Sequence, residues 1–270
     1  MKKSLIVFAL LAVAGRPVLC QTTPKPMDTK ATEAKSDPID TDRGNFTNGP
    51  GIVPKGSYQI ETGYTLARIN GAHSQALGEV LFRIPLTPVS EFRVGLNSYQ
   101  SITGDGNSAH GFQDISLGYK RRLIEQKGSG GFGPPAVAIN FSATLPTGSE
   151  VFTEKMVQPS ALLILSRDIT EKFSLGANLG YGWLSSGGQH FSQFIASTSG
   201  QFKINAKTSA FLEYIGFLPG GYRGSNASFI DTGIFYLVSD AIQLDARIGK
   251  GFSGASPDDF GGFGISFRWH

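Results

Sequence analysis

Twelve charged residues recur within short segments of the chain in which polar and apolar residues alternate. Six are acidic and six are basic, and each shares a face of its segment with small or polar residues. Charged groups in a low-dielectric interior either pair with one another or line a passage and select what moves along it. We expect most of them to form a salt-bridge network, and the balance of signs argues against strong selection for cations or anions. The set comprises Glu61, Glu79, Arg83, Glu91, Arg93, Asp114, Lys120, Arg122, Asp231, Asp245, Arg247 and Arg268.

Nucleophilic catalysis is the competing chemistry, because the chain contains four histidines. A hydrolase would need one of them aimed at a serine. His110 lies near Ser108 and Asp105, and His190 follows a pair of serines, but neither stretch has the Gly-x-Ser-x-Gly pattern of a nucleophile elbow. We therefore predict no catalytic site and no enzyme activity. A membrane hydrolase led by His110 or His190 is the minor alternative.

The charged residues lie in segments whose apolar residues recur at every second position, which is the period of a β-strand. In the last segment, Phe263, Ile265, Phe267 and Trp269 fall on one face, opposite glycine, serine and arginine. Twelve such segments lie between residues 57 and 269, and most have about ten residues, the length of a tilted membrane strand. The sequence predicts an all-β fold, a transmembrane antiparallel up-and-down β-barrel of about twelve strands, with the charged set lining its lumen.

Aromatic residues near the predicted strand ends favour a membrane barrel over its alternative, a soluble β-sandwich or lipocalin-like barrel with the apolar face inward. Rings at strand ends are typical of the girdles that anchor a barrel at the two lipid interfaces. We assign a girdle, rather than a substrate box, to Tyr58, Tyr99, Tyr119, Phe173, Trp183 and Trp269.

The first twenty residues have the pattern of a signal peptide. Lys2 and Lys3 precede the apolar stretch 5–15, which is too short to span a membrane, and Val18 and Cys20 suit the cleavage positions. Lipidation of Cys20 is the alternative. We predict a signal peptide at 1–20, an N-terminal periplasmic tail or partial plug at 21–50, and the barrel at 51–270.

Cysteine and charge counts exclude further kinds of function. Cys20 is the only cysteine, so disulfides, thiolate metal sites and cysteine nucleophiles are not expected, and no metal or other cofactor is implied. The chain has 24 Lys and Arg against 21 Asp and Glu, and Lys2, Lys3 and Arg16 fall in the predicted signal peptide. The remainder carries 21 charges of each sign, which leaves no electrostatic footprint for nucleic acid.

The connections between the predicted strands alternate in length. Outer-membrane barrels have short periplasmic turns and longer outer loops, so we expect both termini and the short turns on the periplasmic side. The connection 124–134 falls on the periplasmic side by this alternation, but it is too long for a periplasmic turn. The short set lies at 86–88, 168–170, 204–206 and 239–240, and the long set lies at 100–110, 146–156, 218–227 and 252–259.

Short motifs follow one another along the chain at Thr41–Arg43 with Val53–Tyr64, Phe82–Arg83, Glu91–Leu96, Asp114–Lys120, Leu145–Ser149, Asn178–Tyr181 and Gln243–Gly249. In this order and spacing they resemble the outer-membrane barrel family named for the meta pathway of phenol degradation, often labelled a transporter family. The resemblance extends over essentially the whole chain after the predicted signal peptide. It departs from the family at Gly44 and Asn45, where Pro-Asp is usual, and at the C-terminal His270.

The resemblance implies an outer-membrane channel or transporter of a Gram-negative cell, through which small solutes pass passively, hydrophobic or aromatic ones among them. The implied partners are outer-membrane lipids, the β-barrel assembly machinery that recognises the strand ending at Trp269, and a small solute of unknown identity. The alternative is a structural or adhesive barrel with a filled lumen. Nucleic acid is not expected as a partner.

Overall fold

A computed structural model describes residues 37–104, 106–128, 133–219, 226–253 and 256–270. The predicted signal peptide and residues 21–36 of the predicted tail lie outside these described residues. Within the described ranges, no helix is long and apolar enough to cross a membrane.

The described residues form a single antiparallel sheet in which strands adjacent in the chain pair in order. The first strand also pairs with the last, from Tyr58 opposite Trp269 to Arg68 opposite Asp259, so the sheet closes into a barrel. The strands are β1 (Tyr58–Ile69), β2 (Ala72–Thr87), β3 (Ser90–Gly104), β4 (Asn107–Phe112), β5 (Ile115–Ile124), β6 (Ala136–Leu145), β7 (Gln158–Asp168), β8 (Phe173–Ser186), β9 (Gln189–Lys203), β10 (Thr208–Pro219), β11 (Ala227–Ser239), β12 (Ile242–Gly251) and β13 (Asp259–Trp269).

β4 and β5 share one position in the barrel, which is therefore twelve-stranded. β3 pairs with β4 through its second half and with β5 through its first half. The sequence predicts a single strand over 111–122, and the break lies at Asp114. The Asp114 carboxylate accepts hydrogen bonds from the backbone N–H groups of Thr147 and Gly148, at 3.0 and 2.8 Å, so it binds the loop after β6.

The two faces of the sheet have the polarity that a bilayer requires. Apolar side chains point outward around the wall, and Leu77, Leu212, Ile248 and Phe263 are each at least 57% exposed. The most deeply buried side chains include arginine, lysine, glutamate and glutamine. A soluble barrel would have the reverse arrangement, so the fold is a transmembrane antiparallel up-and-down β-barrel, as predicted.

The two rims differ in their connections. At one rim, which we call the turn end, short connections at 88–89, 169–172, 204–207 and 240–241 join the strands, and the connection 125–135 is the long exception that the sequence analysis names. The C-terminus also lies at the turn end, where the Ser57 Oγ and His270 Nδ1 atoms are 2.9 Å apart. The opposite rim, the loop end, carries the longer connections 146–157 and 252–258.

The predicted long loop at 100–110 is wrong. Strand pairing between β3 and β4 continues to Gly104 opposite Asn107, so most of this segment is a hairpin. The β1–β2 connection at the loop end is also tight, since Asn70 and Gly71 have φ values of 51° and 83°, which suit a two-residue type I′ turn. The loop at 100–110 was predicted too long because the tips of β3 and β4 are rich in polar residues, a composition that is typical of loops.

The assignment of the two faces can be tested at Leu212, which lies near the middle of β10 and points outward. We expect Leu212→Arg to destabilise the folded barrel in lipid by about 2–4 kcal/mol, because a guanidinium would face hydrocarbon. Leu212→Phe is the matched control and should fold like the wild type. The measurement is urea-dependent folding into vesicles. Equal stability of the two variants would contradict a lipid-facing position.

Candidate functional site

Residues 37–56, which we call the inner segment, run through the lumen between Ile39 and Val53, and both ends of the segment are exposed. The Ile39 N–H donates to the Asp240 carbonyl at the turn end, at 2.8 Å, and a turn from Pro54 to Ser57 leads into β1. Ile39 and Val53 are 4% and 2% exposed. The inner segment contains no helix or strand, so its backbone groups need partners from elsewhere in the lumen.

Three glutamates of the barrel wall accept hydrogen bonds from backbone N–H groups of the inner segment. The accepting side chains are almost completely buried. Because a carboxylate is a strong acceptor, each bond holds the inner segment at a fixed height in the lumen. The bonds run from Asp42 to Glu61 at 3.1 Å, from Phe46 and Thr47 to Glu213 at 2.6 and 2.9 Å, and from Val53 to Glu91 at 2.9 Å.

The Asp42 side chain binds three basic side chains of the wall, Arg83 of β2, Arg93 of β3 and Lys120 of β5, which we call the cation cluster. Lys120 Nζ donates to both carboxylate oxygens, at 2.8 and 3.2 Å. Arg93 Nη1 donates to Asp42 Oδ2, and Arg83 Nη1 lies 4.0 Å from the same oxygen. The Gly49 N–H completes the shell at 3.1 Å from Oδ1. A single carboxylate of the inner segment thus occupies the centre of the cluster.

Two wall glutamates hold the cation cluster in place. Glu91 binds Arg83 in a bidentate manner, at 2.8 and 3.1 Å, and also accepts from Arg93 at 3.0 Å. Glu61 accepts from Arg83 Nη1 at 3.0 Å. With Asp42, three carboxylates therefore balance three cations. Such a network has a low net charge but leaves an uncompensated buried cation when one carboxylate is removed.

Arg43 points to another part of the wall. Its guanidinium lies 2.7 Å from the Glu79 carboxylate and 3.5 Å from that of Asp245. The guanidinium can lie this close to the wall because positions 63 and 264 are glycines. A Cβ at either position would overlap it. Glu79 has a φ of 43° at a β-bulge between β2 and β3, and bulges re-aim side chains in this way.

Phe46 places an aromatic ring among residues near the loop end. Its ring centroid is 5.0 Å from that of Phe229 and 6.1 Å from that of Phe260. The Arg247 guanidinium lies over the Phe46 ring at 4.4 Å, within the range of a cation–π interaction. We call Phe229, Phe260 and Arg247 the aromatic pocket.

The structure brings most of the predicted lumen set together around the inner segment, namely Glu61, Glu79, Arg83, Glu91, Arg93, Lys120, Asp245 and Arg247. Arg122 and Arg268 lie at the turn end, where they donate to the carbonyls of Pro88 and Asp240 at 3.5 and 3.1 Å. Asp231 is buried opposite Glu213 in the β10–β11 register. Asp114 is buried too, and its carboxylate accepts from the backbone N–H groups of residues 147 and 148 rather than pairing with the cations around the inner segment.

The predicted girdle residues point away from the lumen at both rims. Tyr58 and Trp269 are half exposed and lie 6.1 Å apart across the β1–β13 seam. Trp183 and Tyr99 are exposed towards the loop end. Tyr119 and Phe173 are partly buried towards the turn end. Their contact with lipid remains a prediction.

Four residues of the site were missed by the sequence analysis. Glu213 was missed because its neighbours on the inner face of β10, Phe211 and Ile215, are apolar and obscure the alternation. Its signal is that it is the only charged residue of its strand. Asp42, Arg43 and Phe46 were missed because the inner segment has no hydrophobic period to interpret.

A cavity of about 840 Å³ lies between the inner segment and the turn end. Its lining combines apolar surface with polar side chains that include Asp40, Asn48, Arg122, Gln201 and Lys207. The inner segment forms the inner limit of this cavity. Within the described ranges, no three His, Cys, Asp or Glu side chains converge in a way that could hold a metal ion.

Solved structures similar to this chain are transmembrane barrels. A crystal structure of an outer membrane channel from Pseudomonas putida F1 aligns with a TM-score of 0.63 at 13% identity, covering 85% of this chain and 100% of that chain. The NanC porin aligns with a TM-score of 0.53 at 12% identity, over 78% of this chain and 98% of its own. The KdgM porin aligns with a TM-score of 0.51 at 9% identity, over 78% and 99%. At these identities the likeness concerns the fold.

The comparison with curated proteins gives no match. A family model, described as "Putative MetA-pathway of phenol degradation", matches residues 41–269. The match begins within the inner segment, at the residue before Asp42, and ends at Trp269, so it contains both the wall and the residues that occupy its lumen. On this evidence, the chain belongs to the MetA-pathway phenol-degradation family of β-barrels.

Proposed function

We propose that this protein is an outer-membrane channel for the passive passage of small solutes, hydrophobic or aromatic ones among them, and that the inner segment closes it. The observation that carries the proposal is the course of the inner segment through the lumen, where hydrogen bonds and ion pairs attach it to the wall. The apolar exterior and the twelve-stranded closure support a place in the outer membrane of a Gram-negative cell, with both termini periplasmic.

When the inner segment leaves the lumen, water can replace the hydrogen bonds that attach it to the wall. A hydrogen bond contributes about 0.5–1.5 kcal/mol net, and one to a charged group contributes about 1.5–3 kcal/mol. The backbone of the wall is already paired strand to strand, so release of the inner segment breaks none of the ladder bonds. A wall that stays closed while its contents leave is what a gated channel needs.

The cavity at the turn end supports the same proposal. About 840 Å³ of space lies on one side of the inner segment, lined by polar and apolar groups. A solute approaching from the turn end would be stopped by the inner segment rather than by the wall.

The competing function is a structural or adhesive barrel whose lumen stays filled. The ion pairs of the inner segment would then stiffen the wall. The two functions differ in one physical respect, which is whether the inner segment leaves its position.

A hydrolase is less favoured. The His190 Nδ1 atom lies 3.2 Å from the Leu184 carbonyl oxygen, and its ring packs on Trp183. The His110 ring lies 6.4 Å from that of Tyr99. Among the described residues, neither ring is hydrogen-bonded to a serine hydroxyl, so neither is poised as a general base.

A reversible cross-link between the inner segment and the wall tests the gate. The Thr47 Oγ1 and Ser197 Oγ atoms are 2.9 Å apart, so a cysteine at each position can form a disulfide after small adjustments. We expect the Thr47→Cys/Ser197→Cys protein to show conductance steps in a planar bilayer when reduced and to be silent when oxidised. The Thr47→Cys single variant is the control, and its conductance should be the same under reducing and oxidising conditions. Equal currents from the reduced and oxidised double variant would exclude the inner segment as the gate.

Removal of the Asp42 charge should favour the open channel. Asp42→Asn keeps the size of the side chain but loses the ion pairs with the cation cluster, each a charge-assisted contact. We expect the open probability in symmetric salt to rise about tenfold or more, since loss of one such contact corresponds to about 1.5–3 kcal/mol.

The control for this variant is Asp37→Asn, which removes the same charge from an exposed position of the inner segment. It should behave like the wild type. If Asp42→Asn left the open probability unchanged while the folded barrel stayed intact on a heat-modifiability gel, a filled structural barrel would be the better description.

A further inference from the structure

We infer that the cation cluster is the solute-binding site of the open channel and that it takes the carboxylate group of a small organic acid, in the position that Asp42 occupies when the channel is closed. This inference rests on the proposed function, because the cluster becomes accessible only when the inner segment leaves. It adds a class of solute, and it makes Asp42 a tethered competitor of that solute.

The charge balance of the cluster is the first argument. Three cations face Asp42, Glu61 and Glu91 in the closed barrel. When the inner segment leaves, one carboxylate is lost, and two remain on the wall. An uncompensated buried cation is costly, so the open site recruits an anion.

The donors set free by the inner segment are the second argument. Arg83 donates from Nη1 to the Asp40 carbonyl at 2.9 Å and from Nη2 to the Gly51 carbonyl at 3.0 Å, and both bonds end when the segment leaves. The same departure frees Lys120 Nζ and Arg93 Nη1 from Asp42. These donors surround one point of the lumen.

The arrangement around Asp42 also selects the shape of the anion. Lys120 binds both oxygens of the carboxylate, whereas Arg83 and Arg93 approach only Oδ2. Glu91 and Glu61 fix the two arginines, so the donors keep their directions after the segment has gone. A planar group with two oxygens matches these donors, and a spherical ion such as chloride engages fewer of them.

The lumen also offers a separate site for an aromatic ring, nearer the loop end. Release of the inner segment also withdraws the Phe46 ring from the aromatic pocket, where Arg247 lies 4.4 Å above it. The pocket can then take the ring of a solute by the same edge-to-face and cation–π contacts. Asp42 and Phe46 thus show, within the chain itself, the two groups that the wall binds.

Competition for the cluster can be measured without any conductance. The rate at which the Thr47→Cys/Ser197→Cys protein cross-links under a fixed oxidant reports how often the inner segment is in place. We expect sodium benzoate to slow cross-linking in a concentration-dependent manner. Benzamide, which is uncharged, and sodium chloride at the same ionic strength should have little effect.

In the cross-linking protein that also carries Asp42→Asn, Lys120→Met removes one cation of the cluster while keeping an unbranched side chain, so the change weakens benzoate binding without also weakening a tethered carboxylate. We expect about a tenfold higher benzoate concentration for half-maximal slowing, relative to that variant's own baseline, because one charge-assisted contact is lost. Lys250→Met is the matched control, since Lys250 is exposed near the loop end. Arg93→Gln serves as a second cluster variant, and heat modifiability checks that each barrel is folded.

The outcomes separate this inference from the proposed function. If benzoate does not slow cross-linking, or if chloride slows it equally, the carboxylate site is excluded. This holds even if the reduced protein conducts and the oxidised protein does not. Equal slowing by benzoate in Lys120→Met and in its parent overturns it as well. Slowing that is lost with Lys120 supports the site, and the bilayer currents then decide independently whether the barrel is a channel.

Discussion

A closed barrel has few spare backbone groups on its inner face, and this constraint governs how the lumen is filled. The N–H and C=O groups of the strands are paired with neighbouring strands, so side chains form most of the bonds that hold a segment inside, with the Phe263 carbonyl, which accepts from Arg43, as an exception. The inner segment has no strand of its own to pair with. Glu61, Glu91 and Glu213 therefore accept its N–H groups, while Arg83 donates to its carbonyls. Polar side chains on the inner face of the wall thus take the place of the strand-to-strand hydrogen bonds that the inner segment lacks.

Electrostatic balance in the lumen depends on the two adjacent residues Asp42 and Arg43. Asp42 neutralises a basic part of the wall on β2, β3 and β5, and Arg43 neutralises an acidic part that includes Glu79 and Asp245. The near equality of acids and bases in the sequence therefore reflects pairing between the wall and the inner segment as well as pairing within the wall. Without the inner segment, the part of the wall around Lys120 would carry a net positive charge, and the part around Glu79 and Asp245 would carry a net negative charge.

The wall could be predicted from the sequence, because lipid outside and polar groups inside impose a period of two on each strand. Charges such as Arg83, Arg93 and Lys120 follow from this period alone. The inner segment could not be predicted in the same way, because irregular chain held by side-chain contacts has no period. Glu213 was hidden by apolar inner neighbours, and Asp114 lies where a strand is interrupted for a loop that is distant in sequence.

The seam between β1 and β13 has a consequence for the order of assembly. The inner segment leads directly into β1, and β1 is closed by the last strand of the chain, where Ser57 and His270 lie 2.9 Å apart. Contacts such as that of Arg43 with the Phe263 carbonyl join residues separated by 220 positions. Such distant pairings form late, because chain entropy opposes them. We therefore expect the lumen to be filled and the seam to be closed late, after the strands between them have paired.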